Sequence, residues 1–265
     1  MAPITIGISG AAGRMGKRLI VLGTADSSLK LTAATESEGH PAVGKDAGEV
    51  AGIGEIGLRI TPQLEEKVDV FIDFSSPLAA GKIVNRCAEL KTPLVFATTG
   101  TLAEQNAFIK EVSKTIPLLV SPSMSMTVNL AMKLCETAAQ ILKNKDADVE
   151  IIEQHHRHKK DAPSGTALKF GQMIADAMYI TGFRFGREGI TGERPHNEIA
   201  YHSVRAGNNP GEHTILFGLP SETLEISVKA SDRDCYAAGA IEAAKFLYDK
   251  KPGLYSMFDV LKFNG

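Results

Sequence analysis

Cysteine is scarce in this 265-residue chain: Cys87, Cys135 and Cys235 are odd in number, far apart and set in apolar-periodic segments. The pattern points to buried thiols and away from a disulfide framework or a cysteine-based metal site. An excess of one charge is lacking too. Lysine and arginine total 29 against 31 aspartates and glutamates, a formal charge of -2, which leaves no electrostatic footprint for nucleic acid or an anionic membrane. No apolar run approaches the roughly 20 residues of a membrane span. The first residues lack the basic-then-apolar pattern of a secretory signal, so the expected location is the cytoplasm. There is no internal repeat and no low-complexity segment. What is present is 43% hydrophobic residues, enough at this length to bury one large core or two moderate ones, in agreement with a soluble two-part enzyme.

The amino end carries the first positive signal. Ile4 to Ile8 alternates β-branched residues, and Gly10-Ala11-Ala12-Gly13-Arg14-Met15-Gly16 then leads into helical spacing at Leu19, Ile20 and Leu22. In a dinucleotide-binding turn each glycine serves a different purpose, with Gly10 making the tight turn, Gly13 allowing close approach to a pyrophosphate and Gly16 letting helix pack on sheet. The spacing is G-x-x-G-x-x-G, not G-x-G-x-x-G, and a glycine triplet alone also fits an ordinary tight turn. The second strand-like run, Leu29 to Thr35, adds weight because it ends at Glu36, where a carboxylate can accept both ribose hydroxyls.

Residues 37–55 are Gly-rich and polar without clear period, and read as a long loop near the nucleotide. Strand and helix patterns then alternate: Leu58 to Thr61, Val68 to Phe74, a helix from Pro77 to Leu90, Leu94 to Ala97, a helix from Ala103 to Val112, and Pro117 to Val120. This alternation predicts an α/β fold with a Rossmann-like, doubly wound parallel sheet. Ligands of such sheets lie beyond the carboxyl ends of the strands. Phe74 and Ser75, Ala97, Thr98 and Thr99, and Ser121, Pro122, Ser123 and Met124 therefore join the glycine turn as candidate cofactor contacts.

The pattern changes at Thr127. A long helix to Leu142, a strand from Val149 to Glu153 and a helix from Gly165 to Met178 are followed by strand-like runs at Glu198 to Val204, Glu212 to Phe217 and Thr223 to Ala230, with short connections. A second α+β domain with a mixed or antiparallel sheet is expected. A final helix, Tyr236 to Tyr248, and the tail return to the first domain. The expected division is 1–126 with 236–265 for the dinucleotide and 127–235 for the substrate.

Between strand and helix lies the densest chemistry in the chain: Gln154-His155-His156-Arg157-His158-Lys159-Lys160-Asp161-Ala162-Pro163-Ser164-Gly165-Thr166. Taken alone, such a basic run also fits a solvated turn. The clustered histidines raise a metal site, but Arg157, Lys159 and Lys160 would repel a divalent cation, and no cysteine or carboxylate with ligand spacing accompanies them, so no metal is expected. At a strand end the block instead supplies proton-transfer groups and an anion clamp. Ser164-Gly165-Thr166 reads as a helix start whose unpaired N–H groups favour a substrate carboxylate.

Five segments together resemble the dihydrodipicolinate reductase family nearly end to end: Gly10 to Gly16, Phe71-Ile72-Asp73-Phe74-Ser75, Glu153 to Lys159 with Asp161 to Ala167, Arg187-Glu188-Gly189 to Thr191-Gly192-Glu193-Arg194, and Arg205-Ala206-Gly207 to Gly211-Glu212-His213. The histidine-lysine block is the specific part. The resemblance implies an NADH- or NADPH-dependent reductase of bacterial diaminopimelate and lysine biosynthesis that forms tetrahydrodipicolinate. Its substrate is a small dicarboxylate, usually written in the hydrated 4-hydroxy form. A homotetramer joined through the sheets of the second domain is also implied. Carried over by motif, His155 is the proton donor or acceptor, Lys159 the proton donor, and His156, Gly165 and Thr166 contact substrate, with Ser164 capping their helix. Gly10, Ala11, Ala12, Gly13, Arg14, Met15 and Glu36 belong to the cofactor.

Departures fall in the cofactor loops. Many relatives have Gly-Thr-Thr-Gly where this chain has Ala97-Thr98-Thr99-Gly100, and Asn-Phe-Ser in place of Ser123-Met124-Ser125. Some carry arginine after the acidic residue at which this chain has Ser37. With no lysine or arginine from Ser37 to His40, and only Arg14 or Lys45 able to approach, NADH is expected to serve at least as well as NADPH. Two other classes stay open: a two-domain nicotinamide-dependent dehydrogenase of a different small acid, and a nucleotide sensor without turnover.

Overall fold

Alternating β-branched residues form β1 (Ile4–Ser9), with Ile6 and Ile8 fully buried. The computed structural model describes residues 2–263. After the glycine turn, α1 (Arg14–Ala25) buries Gly16, Leu19, Ile20 and Gly23, one stripe of a helix at three- and four-residue spacing. The chain continues through β2 (Leu29–Thr35), α2 (Ala47–Ala51), β3 (Ile60–Thr61), β4 (Val70–Asp73), α3 (Ala80–Leu90), β5 (Leu94–Phe96), α4 (Ala103–Val112) and β6 (Pro117–Val120). Every residue of β4 and β5 is buried, as parallel strands covered on both faces by helices require.

The segment expected to be a featureless loop at 37–55 contains a helical turn. Asp46 caps α2 through Gly48 and Glu49, and its carboxylate also accepts from the amides of Ile56 and Leu58 at 3.1 and 3.0 Å. A five-residue helix is too short to show a 3.6-residue period, so only its capping aspartate marked it.

The second compact unit is Thr127–Asp232. It holds most of α5 (Met126–Leu142), then β7 (Asp148–His155), α6 (Gly165–Met178), β8 (Gly182–Phe185), β9 (Glu198–Arg205), β10 (Glu212–Gly218) and β11 (Thr223–Lys229). Their five-stranded sheet has the order β11-β10-β7-β9-β8. It is mixed: β7 pairs parallel with β9 and β9 with β8, whereas β10 runs antiparallel to both β7 and β11. β7 lies between β9 and β10, the two strands that follow each other in sequence. Phe170 of α6 and Phe217 of β10 are fully buried, each contributing about 2–3 kcal/mol. Strand β8 carries Phe183 and Phe185 at 42% and 65% exposure, an edge strand of only four residues, too short to have been marked in the sequence.

The chain rejoins the first unit at Arg233, not Tyr236. The earlier return has a physical cause: α7 (Asp234–Leu247) starts there, and Asp234 takes a two-pronged ion pair from Arg18 of α1. Then come β12 (Gly253–Tyr255), which pairs parallel with β6, and α8 (Met257–Val260). The first unit's seven-stranded sheet has the order β12-β6-β5-β4-β1-β2-β3, so strand order reverses between β1 and β4. That switch point is where such sheets open a crevice for a nucleotide. Cys87 and Cys135 are buried, but Cys235, expected to be buried as well, is only half-buried in the first turn of α7.

Candidate active site

In the first unit the glycine turn sits at the switch point. Gly10 has φ of +75°, and a side chain there would also bring Cβ to 2.8 Å from the carbonyl oxygen of Phe74. Gly16 is more constrained, since its Cβ would lie 2.1 Å from the carbonyl oxygen of Gly10. These contacts hold the start of α1 against the glycine turn, beside the end of β4. Gly13 is the N-cap of α1 and is exposed, and no side chain caps the helix, so the first-turn N–H groups present a ready anion site. Glu36 flanks it: one carboxylate oxygen accepts from Ala12 N at 3.2 Å, the other from Ser37 N at 2.9 Å. A backbone that only glycine allows, uncapped helical amides and an adjacent carboxylate suit the pyrophosphate and ribose of a dinucleotide.

The other candidate cofactor loops follow in order along the same sheet edge, after β4, β5 and β6. Asp73, fully buried at the end of β4, ties two of them together. It accepts from Ser75 N at 3.2 Å and from the Thr98 hydroxyl at 2.7 Å. Burial pushes its carboxyl above the usual range, with hydrogen bonds from Thr98, Ser75 and Ser9 opposing. Thr99 and Pro122 are exposed, while Ser121 donates to the carbonyl of Ser123. Ala97 and Met124 point into the core, so their side chains fill the interior and their backbone borders the loops. The Met124 carbonyl lies against Gly239 of α7, where a Cβ would come within 1.8 Å of it.

In the second unit, the two-residue period of β7 sends Val149, Ile151, Glu153 and His155 to the buried side. Glu153 has no exposed surface. Its carboxylate meets His155 Nδ1 at 2.5 Å, Arg205 through both guanidinium nitrogens at 2.9 and 2.7 Å, and Ser164 N at 3.2 Å. Burial alone would favour the neutral acid. The hydrogen bonds from His155 and Arg205 outweigh it and hold Glu153 well below the usual carboxylate range.

Ser164 caps α6, accepting from Ala167 N at 3.1 Å, and its hydroxyl lies 3.1 Å from His213 Nε2. His213 is buried, edge-on to His155 at 5.3 Å between ring centroids. Burial drives it down to about 3, helped by repulsion from His155 and Lys159 against the pull of Glu153. A neutral His213 with an acceptor at Nε2 matches a hydroxyl already accepting from Ala167, so we assign Ser164 as donor to His213. At the helix start Gly165 is exposed and Thr166 half-buried, and the helix behind them runs 14 residues. Lys159 Nζ is half-buried and pairs with Asp161 at 3.0 Å. His156 N donates to the carbonyl of Asn209, Arg157 N to that of Gly207, so the basic loop is laced to the turn between β9 and β10. Arg157, His158 and Lys160 lie exposed along the same loop.

Family models match both units. One described as dihydrodipicolinate reductase, N-terminus, covers residues 4–124, and one described as dihydrodipicolinate reductase, C-terminus, covers residues 127–261. The chain belongs to the dihydrodipicolinate reductase family. It is 48% identical to the 4-hydroxy-tetrahydrodipicolinate reductase of Rhodopirellula baltica over 98% of this chain and 96% of that one. It is 46% identical to the enzyme of the same name from Alkalilimnicola ehrlichii, over 97% and 98%. A solved structure, the dipicolinate-bound dihydrodipicolinate reductase from Paenisporosarcina sp. TG-14, shares the fold with a TM-score of 0.76 over 97% of this chain and 98% of that one, at 24% identity.

Several side chains of this family member acquire a place only from the fold: Asp73, Glu153, Arg205 and His213 had no assignment from sequence. For Glu153 the signal was present, since a carboxylate two residues before His155 on a strand shares its buried face. Arg205 and His213 reach the site from β9 and β10; they bound the last of the five resembling segments, but nothing local to that segment gave either a role. The opposite face of β7 holds a separate ion cluster, in which Glu150 meets Arg187, Arg194 and His202. Burial opposes but these partners prevail, drawing Glu150 down to about 2.

Proposed function

We propose that this protein reduces dihydrodipicolinate, supplied as 4-hydroxy-tetrahydrodipicolinate, to tetrahydrodipicolinate with NADH or NADPH, a step of diaminopimelate and lysine biosynthesis. One observation carries the reading: a single loop behind β7 offers imidazole, ammonium and a serine-capped helix start within thirteen consecutive residues, in a chain similar end to end to reductases of that name. The glycine turn, Glu36 and the loops at Ser75, Thr98 and Ser123 hold the dinucleotide. Bound in reduced form, it supplies a hydride.

The chain's own residues do the rest. Amides of Gly165 and Thr166 receive one ring carboxylate at the start of α6, with His156 beside it. The 4-hydroxyl group and a neighbouring ring proton first leave as water to give the conjugated dihydrodipicolinate ring; hydride addition then reduces one double bond and sends an electron pair into the conjugated system. Lys159, an ammonium paired with Asp161, stabilises that charge and then protonates carbon, and solvent recharges it. His155 donates or accepts a proton through Nε2, because Nδ1 is committed to Glu153. Ser164 acts through the cap and His213. The substrate is a small cyclic dicarboxylate, the location the cytoplasm, and the assembly a homotetramer joined through the second unit's sheet.

The test is reduced-nicotinamide consumption on substrate freshly condensed from pyruvate and aspartate semialdehyde. Turnover dependent on both condensation partners is expected, with kcat/KM for NADH at least equal to that for NADPH. No consumption above the no-substrate rate would refute the reading. A strong NADPH preference would instead mean that Arg14 or Lys45 reaches the 2'-phosphate.

A further inference from the structure

The buried carboxylate behind His155 does not stand alone. Glu153 is fully enclosed, and an isolated charge there would be costly. Arg205, 52 residues away in sequence, supplies a two-pronged guanidinium that meets both carboxylate oxygens. The same nitrogen that binds one of them also donates to the carbonyl of Asp161 at 2.6 Å, two residues past Lys159. Glu153 thus faces a permanent cation on one side and a titratable ring on the other. Its pull on the His155 proton is what the guanidinium leaves over.

We propose that Arg205 is a positioning residue for the reaction: acting through Glu153, it sets the orientation and charge state of His155 while holding the basic loop at Asp161. The inference rests on the proton-transfer role proposed for His155. Among the described residues, Glu153 of β7 and neutral His213 of β10 meet that ring directly; Arg205 of β9 bonds Glu153, Lys159 with its partner Asp161 comes from the basic loop, and α6 contributes the uncharged Ser164, bonded to Glu153 and His213, and Phe170, which lies against His213. Of these, only Arg205 is a fixed cation bonded to the carboxylate that His155 shares. Replace it with a neutral side chain, and the imidazolium becomes the sole counter-ion of Glu153, so His155 keeps its proton to higher pH. Neutralise Glu153 instead, and the pull disappears while Arg205 remains, so His155 gives up its proton at lower pH.

Opposite shifts from two neighbours are the signature. Titration of His155 is followed by NMR on histidine-labelled protein, assigned with His155→Gln, in the full chain and in Arg205→Met, Arg205→Lys and Glu153→Gln. Relative to the unaltered protein, the midpoint is expected to rise by about one pH unit or more in Arg205→Met and to fall by a similar amount in Glu153→Gln. In Arg205→Lys it stays near its original place while kcat falls, because the charge is kept and the fork that holds Asp161 is lost. NADH affinity, measured by nicotinamide fluorescence, is expected to be unchanged in all three. If Arg205→Met is not folded by circular dichroism, Arg205→Gln, which removes the charge and keeps a hydrogen-bonding side chain, takes its place, with the same upward shift expected. Shifts absent, or in the same direction, overturn the inference and leave Arg205 as scaffold. The titration needs no substrate, so it stands apart from the turnover assay: an inactive but shifting set sinks the reaction assignment and not the coupling.

Discussion

At the scale of single residues, Lys159 and His213 make opposite demands on the same loop. In the proposed reaction Lys159 acts as an ammonium and reaches substrate, and it pairs with Asp161 at 3.0 Å. Lys159→Ala is expected to lower kcat by about 10²- to 10⁴-fold, the usual share of general acid catalysis, with NADH affinity unchanged. Turnover near that of the unaltered protein removes Lys159 from the mechanism. His213 must stay neutral, since burial drives it from 6.5 down to about 3. The sign follows from proton counting. Between these values the unfolded chain binds a proton that the folded one refuses, so stability is held above the unfolded value and lost as pH falls below it, by up to about 1.4 kcal/mol per pH unit. Glu153, held low, adds to that acid loss only below its ordinary value of 4.5. Urea midpoints between pH 7 and pH 5 lie above that value, and comparison with His213→Gln separates the histidine from Asp73, whose raised carboxyl acts in the opposite direction. The decline across that window is expected to be smaller in His213→Gln, and an equal decline would mean that His213 is protonated in the fold.

Elements pack by what their side chains permit, and α6 is the clearest case. Its Gly171 faces Tyr201 of β9, and a Cβ there would come within 1.8 Å of the tyrosine hydroxyl. Tyr201 has nowhere to move: it is buried and stacked on Phe185 at 5.4 Å. Burial also pushes its phenol up to about 12. Gly171→Ala is expected to cost about 1–3 kcal/mol through overpacking, read as a lower urea midpoint at constant slope. Tyr201→Phe in the same chain should recover part of that loss, and its failure to do so would place the clash elsewhere. The helix pattern of residues 165–178 was legible in the sequence, but the glycine on its buried face was not, because its reason sits on a strand that α6 meets only in the fold. Strand β8 escaped for a related reason: it is four residues long, and its phenylalanines lie on the more exposed side of an edge strand. Helix α2 was too short to have a period.

For the molecule as a whole, the outward face of the second sheet sets the expectation. Opposite the buried side of β7, Ile152 is 36% exposed, and on β9 Val204 is 42% exposed. In register Ile152 lies opposite His202 and Val204 follows two residues on, so both apolar side chains flank the Glu150 ion cluster on a surface that a homotetramer would cover. Light scattering is expected to give the mass of four chains, and Ile152→Glu to give smaller species with NADH affinity unchanged. A tetramer that survives that substitution would move the interface off this face.

The sequence by itself determined whatever is encoded within a few residues. The glycine turn is legible because only glycine fits φ of +75° and the close approach at Gly16; the start of α6 because Ser164, just before it, caps the amide three residues on; the two units because strand and helix alternate before Thr127 and not after. Tertiary structure alone decided the order of the second sheet. It places β7 between β9 and β10, so that Arg205 and His213, far along the chain, meet Glu153, His155 and Ser164. Hydrogen-bonding strands choose neighbours by shared burial and register, not by distance in sequence, and the charges around His155 are set by that choice.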